Sequence, residues 1–391
     1  MKKSLLALAA LGAFAGVAHA QSSVTLYGIV DEGINYTSNS NGHTLYNLSS
    51  GVLQGSRFGL RGAEDLGGGL KAIFVLENGF DVNSGKLGQG GLMFGRQAYV
   101  GLSSSQFGSV TVGRQYDSVV DYVGPLEVGD QWGGYIAAHP GDLDNFNNAY
   151  RTNNTIKYTS ANYNGLTFGG TYSFGGVAGQ FSENQVISAG AGYNNGPLVL
   201  GVAYLNARTP SNAGGLFGNN TGTSTASAVS TPVYSGYTSA NTYQVIGTGG
   251  AYTFGAATIG ATYSNIKFMN LGANGTSIYQ RGDTATFNNA ELNFKYQLTP
   301  ALVLGAAFDY THGSDVTETT GATNNGAKYL QGALGADYFL SKRTDVYVTG
   351  IYQKASGRDS KNENAVAAIN GLTASTSDRQ ANVRVGIRTK F

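Results

Sequence analysis

The stretch Ala381-Asn382-Val383-Arg384-Val385-Gly386-Ile387-Arg388-Thr389-Lys390-Phe391 ends the chain and has two chemically opposed faces. Ala381, Val383, Val385, Ile387, Thr389 and Phe391 fall on one parity; Asn382, Arg384, Gly386, Arg388 and Lys390 fall on the other. Side chains of a β-strand alternate with period two, so this segment asks for an apolar medium on one side and water on the other. With an aromatic residue at its end it reads as the closing strand of a membrane β-barrel, its cationic face lining water near the periplasmic end.

Working outward, the same alternation recurs along the whole chain. Ala290, Leu292, Phe294, Tyr296 and Leu298 oppose Glu291, Asn293, Lys295 and Gln297. Leu166, Phe168, Gly170, Tyr172 and Phe174 oppose Thr167, Gly169, Thr171 and Ser173, and Leu302, Leu304, Ala306, Phe308 and Tyr310 oppose a face holding Asp309 and Thr311. Sixteen such strands are expected, over about 23–37, 54–65, 69–81, 93–104, 108–116, 152–161, 165–175, 184–194, 197–208, 241–254, 256–268, 285–298, 301–313, 326–340, 343–355 and 378–391. The connections alternate in length. Tight turns fall at Leu66-Gly67-Gly68, Ser105-Gln106-Phe107, Asn162-Tyr163-Asn164, Asn195-Gly196, Gly255, Thr299-Pro300 and Ser341-Lys342. The others are long and polar, among them Ser38 to Leu53, Asp117 to Arg151, Thr209 to Ala240 and Ser314 to Asn325.

An even strand number with short turns at one end and long loops at the other defines the fold class. It is all-β: a 16-stranded antiparallel transmembrane β-barrel with short periplasmic turns and long extracellular loops. Polar inner faces imply a wet lumen rather than a packed core. A soluble β-sandwich would not segregate short and long connections to opposite ends. The segment from Thr209 to Ala240, rich in Ser, Thr, Gly and Asn, reads as a mobile surface loop.

The N-terminus agrees with export. Met1-Lys2-Lys3 is a positive start, Leu5 to Val17 a short apolar core, and Ala18-His19-Ala20 a small-residue cleavage site, so residues 1–20 read as a signal peptide and 21–391 as the barrel domain. No later apolar run is long enough to cross a membrane as a helix. Only 12% of residues are charged, while 59 Gly, 25 Tyr and 18 Phe suit turns, half-exposed strands and aromatic belts. The formal charge is +1, and loss of Lys2 and Lys3 brings it to about −1, which gives no bulk attraction to nucleic acid.

Chemistry-bearing motifs are scarce. There is no cysteine, and His43, His139 and His312, the histidines outside the signal, are far apart and unpaired, so neither a metal site nor a cofactor is expected. Gly67-Gly68-Gly69 lacks the Lys-Ser/Thr of a phosphate cradle, and no G-x-S-x-G elbow stands out, so the chain does not read as an enzyme.

The arginines of the first half form a pattern instead. Arg57 and Arg61 share a strand face with Gly59, and mid-membrane lipid would penalise a guanidinium by about 2–4 kcal/mol, so both must face the lumen. Arg96, Arg114 and Arg151 come from strands next in sequence, which makes five arginines on one stretch of inner wall. Between Arg114 and Arg151 lie Asp117, Asp121, Glu127, Asp130, Asp142 and Asp144 with no basic residue. If that loop folds inward, Asp121, Glu127 and Asp130 face the arginines across a constriction and set up a transverse field.

Several stretches together resemble the trimeric general porins of Gram-negative bacteria over nearly the whole mature chain. They are Ser23-Val24-Thr25-Leu26-Tyr27-Gly28-Ile29-Val30-Asp31, Ser56-Arg57-Phe58-Gly59-Leu60-Arg61-Gly62, Glu64-Asp65-Leu66-Gly67, Leu70-Lys71-Ala72-Ile73-Phe74, Gly95-Arg96-Gln97-Ala98-Tyr99-Val100-Gly101-Leu102, Val112-Gly113-Arg114-Gln115-Tyr116 and Val385-Gly386-Ile387-Arg388-Thr389-Lys390-Phe391. The resemblance implies an infolded third loop that sets the constriction, with Arg57, Arg114 and Arg151 as wall arginines. Glu127, two residues after Pro125, would be the loop acid, displaced by one residue from the family's proline-glutamate pairing. It also implies homotrimers, contact with outer-membrane lipid, lipopolysaccharide and peptidoglycan-side partners, and recognition of Phe391 by the barrel-assembly machinery. The expected function is a water-filled outer-membrane channel for passive diffusion of small hydrophilic solutes and ions, with a preference for anions. A solute-selective channel with a binding site at the constriction, and a structural or adhesive surface barrel, are the alternatives.

Overall fold

A computed structural model describes residues 22–220, 227 and 229–391; the expected signal peptide lies outside the described residues. Its strands are β1 (Ser23–Ser40), β2 (His43–Ser50), β3 (Arg57–Gly67), β4 (Leu70–Gly79), β5 (Gln97–Ser104), β6 (Gly108–Gln115), β7 (Thr152–Thr159), β8 (Leu166–Ser173), β9 (Val186–Asn195) and β10 (Leu198–Arg208). They continue with β11 (Thr242–Phe254), β12 (Ala257–Met269), β13 (Thr284–Thr299), β14 (Leu302–Gly313), a small hairpin β15 (Val316–Thr317) and β16 (Thr323–Asn324), then β17 (Lys328–Phe339), β18 (Thr344–Ser356) and β19 (Arg379–Lys390).

Every strand but the β15–β16 hairpin joins one antiparallel sheet, which closes where β19 pairs with β1 from Ile29↔Lys390 to Thr37↔Asn382. Phe391 completes the seam, exchanging backbone hydrogen bonds of 3.0 and 3.1 Å with Gly28. β2 and β3 both pair with β1, on its outer and inner halves, so they are two pieces of a single stave and the barrel has sixteen. All sixteen expected strands are present within a few residues, and all seven tight turns lie at the same end.

The first long connection needs correcting. Ser38 to Leu53 is not an open polar loop: β1 runs on to Ser40, turns at Asn41-Gly42, and returns as β2. Both turn residues have positive φ (49° and 90°), the geometry of a two-residue hairpin.

The parity of each strand decides what it meets. On β19, Val383, Val385 and Ile387 are 46–58% exposed on the outer surface, whereas Arg384 and Arg388 are buried inside. An outward aromatic belt near the turn end includes Phe107, Tyr163, Tyr252, Phe254, Tyr296 and Phe391.

The interior differs from a uniformly wet lumen. Toward the loop end, inner-face Leu205, Tyr243, Val245, Ile266, Phe268, Phe287 and Tyr329 form a packed apolar core with Phe146, Phe217, Tyr234 and Tyr237 from the loops. The segment from Thr209 to Ala240 is therefore no mobile surface loop in its described parts: Leu216, Phe217 and Val233 are fully buried. Arg384 and Arg388 likewise do not line free water. Arg384 donates to Tyr347 Oη (2.7 Å), Ser49 Oγ (2.8 Å) and Asn35 Oδ1 (3.0 Å) and lies 3.4 Å from Asp31, while Arg388 pairs with Asp345 (2.9 Å) and Asp337 (3.4 Å).

Candidate functional site: an infolded loop and an arginine-lined throat

The third loop, residues 116–151, crosses the barrel interior and is tied to the wall at successive staves. Asp117 caps the short helix α1 (Ser118–Tyr122) by accepting from the Val119 and Val120 amides. Ser118 N then donates to Ser188 Oγ of β9 (2.9 Å), and Tyr243 of β11 donates to Leu143 O (2.8 Å). Ser264 of β12 donates to Asp144 (2.6 Å), Val128 N donates to Glu291 of β13 (3.0 Å), and Asn293 donates to Leu126 O (2.9 Å). Gln331 of β17 holds both Ala137 O and Ala138 O at 3.0 Å, and Tyr135 N donates to Val52 O (2.9 Å), which returns the loop to the first strands.

The one tryptophan of the chain, Trp132, seats the loop's far side. Its indole lies over Gly305 of β14 and Gly335 of β17, where a Cβ would intrude on the ring. Glycine is needed at both positions because ring and backbone approach so closely.

Across from the loop, Arg57, Arg96 and Arg151 line one cavity of about 520 Å³ together with Phe80, Tyr116, Asp130 and Asp142. Arg57 donates through Nε to Gly55 O (2.8 Å), and the Arg151 guanidinium lies 5.8 Å from the Tyr116 ring centroid. Arg96 is already paired: Nε is 2.8 Å from Glu77 Oε1, and Nη2 donates to Tyr116 Oη (3.1 Å). Tyr27 also donates to Glu77, at 3.0 Å. Among the described residues, neither Arg57 nor Arg151 has such an ion-pair partner. Burial, and then the neighbouring Arg96, hold Arg151 below the ordinary arginine range. Asp130 faces the arginines from the loop. Confinement raises its carboxyl above the ordinary range, and Arg57 and Arg96 pull the other way.

The remaining expected site residues lie elsewhere. Arg114 spends its guanidinium on Gly95 O (2.8 Å), Asn219 O (2.8 Å), Asn220 Oδ1 (2.7 Å) and Asn153 Oδ1 (2.5 Å), which ties Asn219 and Asn220 to the wall and leaves Arg114 outside the throat lining. Arg61 is exposed, 5.4 Å from the Tyr27 ring centroid and outside the throat lining. Asp121 is paired with Lys157 beside a second cavity of about 500 Å³, bordered by the turn residues Asn162, Gly165 and Asn194. Glu127 is fully buried and turned to the β13 wall rather than to the throat, where burial pushes its carboxyl well above the usual range. A third cavity, about 530 Å³ and lined by Ala149, Tyr234 and Ala368, lies on the loop side of the throat.

Sequence reasoning missed Glu77, Tyr116 and Trp132. Parity could have found Glu77, an acid on the inner face beside Arg57's strand; a lone tryptophan inside an acidic loop was the signal for Trp132.

A closed barrel with an apolar outer surface and a polar throat narrowed by an infolded loop defines a passive diffusion channel of the bacterial outer membrane. The chain belongs to the Gram-negative porin family, whose model matches residues 7–358. It is 33% identical to an outer membrane porin protein of Bordetella pertussis, over 90% of this chain and 94% of that one. It is 31% identical to outer membrane porin protein 32 of Delftia acidovorans over the full length of both. Among solved structures, the anion-selective porin from Comamonas acidovorans superposes with a TM-score of 0.72 at 24% identity, covering 95% of this chain and 100% of that one. The trimer form of OmpT from Vibrio cholerae gives 0.63 at 16% identity, covering 95% and 99%.

Proposed function

We propose that the channel favours small anions and selects them at the throat formed by Arg57, Arg96 and Arg151 on the wall and Asp130 on the third loop. The observation that carries this reading is how the charges are placed there, with the arginines on one wall and most of the acids engaged by other groups. Glu77 pairs with Arg96, and two of the three acids on the lining are engaged elsewhere: Asp81 accepts from Ser84 N and Oγ, and buried Asp142 accepts the Asn147 and Ala149 amides with its carboxyl pushed up to about 8 by burial, so Asp130 is the acid left facing Arg57 and Arg151. A positive ring in a narrow, low-dielectric passage lowers the barrier for anions and raises it for cations. The anion selectivity of the Comamonas porin points the same way.

Residues 1–20 are proposed as a cleaved signal peptide and 21–391 as the mature barrel. The assembly is proposed to be a homotrimer in contact with lipid and lipopolysaccharide, and the exposed Phe391, sealing the β1–β19 seam, to be the mark read by the barrel-assembly machinery. The test is planar-bilayer conductance of the purified protein. A pore of this kind gives current that rises without saturation as one solute is increased. Saturation at one solute's concentration would instead assign a binding channel, and absence of conductance a closed structural barrel.

A further inference from the structure

His139, isolated in the sequence, is brought by the infolded loop against carboxylates from two staves. Glu127, His139 and Glu291 each offer a ligand atom within 4.8 Å of the others, all buried. His139 Nε2 lies 3.4 Å from Glu291 Oε2 and 4.0 Å from Asp309 Oδ1 of β14.

The hydrogen bonding sorts these atoms into two sets. One atom of each group is engaged by its surroundings: Glu291 Oε1 accepts from Val128 N and Asn293, Asp309 Oδ2 from Thr311, and Glu127 Oε1 from His139 N. His139 Nδ1 meets Asp144 Oδ2 at 2.7 Å, and that carboxylate also accepts from Ser264. The other set, His139 Nε2, Glu291 Oε2, Asp309 Oδ1 and Glu127 Oε2, is buried with no hydrogen-bond partner among the described residues. All four residues are at most 3% exposed. In its neutral form, an imidazole whose Nδ1–H is held by a carboxylate presents Nε2 as a lone pair, the arrangement that orients a metal-ligating histidine. Two ligand atoms on a tetrahedral Zn²⁺ with bonds near ~2.0–2.1 Å lie roughly 3.3 Å apart, close to the Nε2–Oε2 spacing.

We propose that Glu127, His139, Glu291 and Asp309 bind one divalent transition-metal cation, Zn²⁺ by donor chemistry, which fastens the third loop to β13 and β14. The mixed nitrogen and carboxylate set favours Zn²⁺ over Ca²⁺ or Mg²⁺, which prefer oxygen alone. The cation offsets the negative charge of Glu127, Asp144, Glu291 and Asp309 inside a region closed to water.

The test uses full-length protein unfolded in chelator, refolded in detergent with or without Zn²⁺, desalted, and assayed for bound metal. The expected result is about one zinc per chain and an unfolding midpoint at least ~3 °C higher than in the metal-free refold. Both are lost in His139→Gln and in the near-isosteric Asp309→Asn, and both persist in a His43→Gln, His312→Gln control. Wild-type protein that refolds without retained zinc and without a midpoint shift overturns the proposal and leaves a cluster held by shared protons. Retained zinc that survives His139→Gln overturns it as well, since that metal sits elsewhere. Mg²⁺ or Ca²⁺ matching the zinc shift at equal concentration would refute the choice of ion.

Discussion

Replacing Gly335 by alanine presses on the seat of the third loop without touching any charged group. A Cβ built there lies 2.6 Å from Trp132 Cε3 and 2.9 Å from Cζ3. Carbon atoms in contact settle at about 3.5–4.0 Å, so the indole must retreat from the β17 wall by roughly 1 Å. Overpacking of this size costs about 1–3 kcal/mol, which a barrel closed by sixteen staves tolerates while the loop shifts. The loop can only move toward the lumen. The throat cavity of 520 Å³ is equivalent to a sphere about 10 Å across, so a ~1 Å advance of one side removes about a tenth of the passage. Single-channel conductance should fall by about that fraction, while the reversal potential in a salt gradient stays unchanged because Arg57 and Arg151 are untouched. Gly332→Ala on the outer face of the same strand is the control, since a Cβ there meets nothing within 4 Å. Conductance unchanged in Gly335→Ala, or reduced equally in Gly332→Ala, would refute Trp132 as the spacer that sets the throat.

Arg96→Met removes the cation of a buried ion pair and leaves Glu77 with only the Tyr27 and Tyr116 hydroxyls; chemical unfolding in detergent should show a loss of about 3–5 kcal/mol, against under about 1 kcal/mol for exposed Arg61→Met. Arg384→Met leaves fully buried Asp31, at the seam between β1 and β19, with the Tyr347 hydroxyl and the Gln54 amide but no cation, and the same assay should register a loss of up to similar size. Protonating Asp130 deletes a negative charge opposite Arg57, so anion preference should rise as pH falls through its pKa, which lies above the ordinary carboxylate value. Reversal potentials at pH 7 and pH 4 measure this, and Asp130→Asn should give much of the low-pH behaviour already at pH 7; a variant identical to wild type at both pH values would count against the assignment.

The sixteen strands were legible because lipid on one side and water or loop on the other impose a period of two, and the turns because Gly, Asn and Ser punctuate it. The hairpin at Asn41-Gly42 carried an equally plain signal, an Asn-Gly pair, but its polar flanks His43 and Asn47 made β2 resemble a loop. Parity told which residues point inward but not what they meet there: Tyr243 and Phe287 share the lumen parity with Glu291, yet they pack under loops. For the site, strand parity gave the inward direction of Arg57, whereas Arg96 and Arg151 sit just before β5 and β7. It could not show that Glu77 neutralises Arg96 and that segment 209–240 occupies Arg114, because both partners are fixed by contacts distant in the chain. Glu127 shows the same limit. Its place in an acidic loop gave its charge, and only the closure of that loop on β13 gave its direction.

The proposed selectivity of the throat rests on Arg57 and Arg151. The most direct measurement is the zero-current reversal potential of single channels in a tenfold KCl gradient, for wild type and for Arg57→Gln with Arg151→Gln. Wild type should give an anion-favouring potential that collapses toward zero or turns cation-favouring in the double variant. A cation-favouring wild type, or an anion preference undiminished in the double variant, would contradict the proposal.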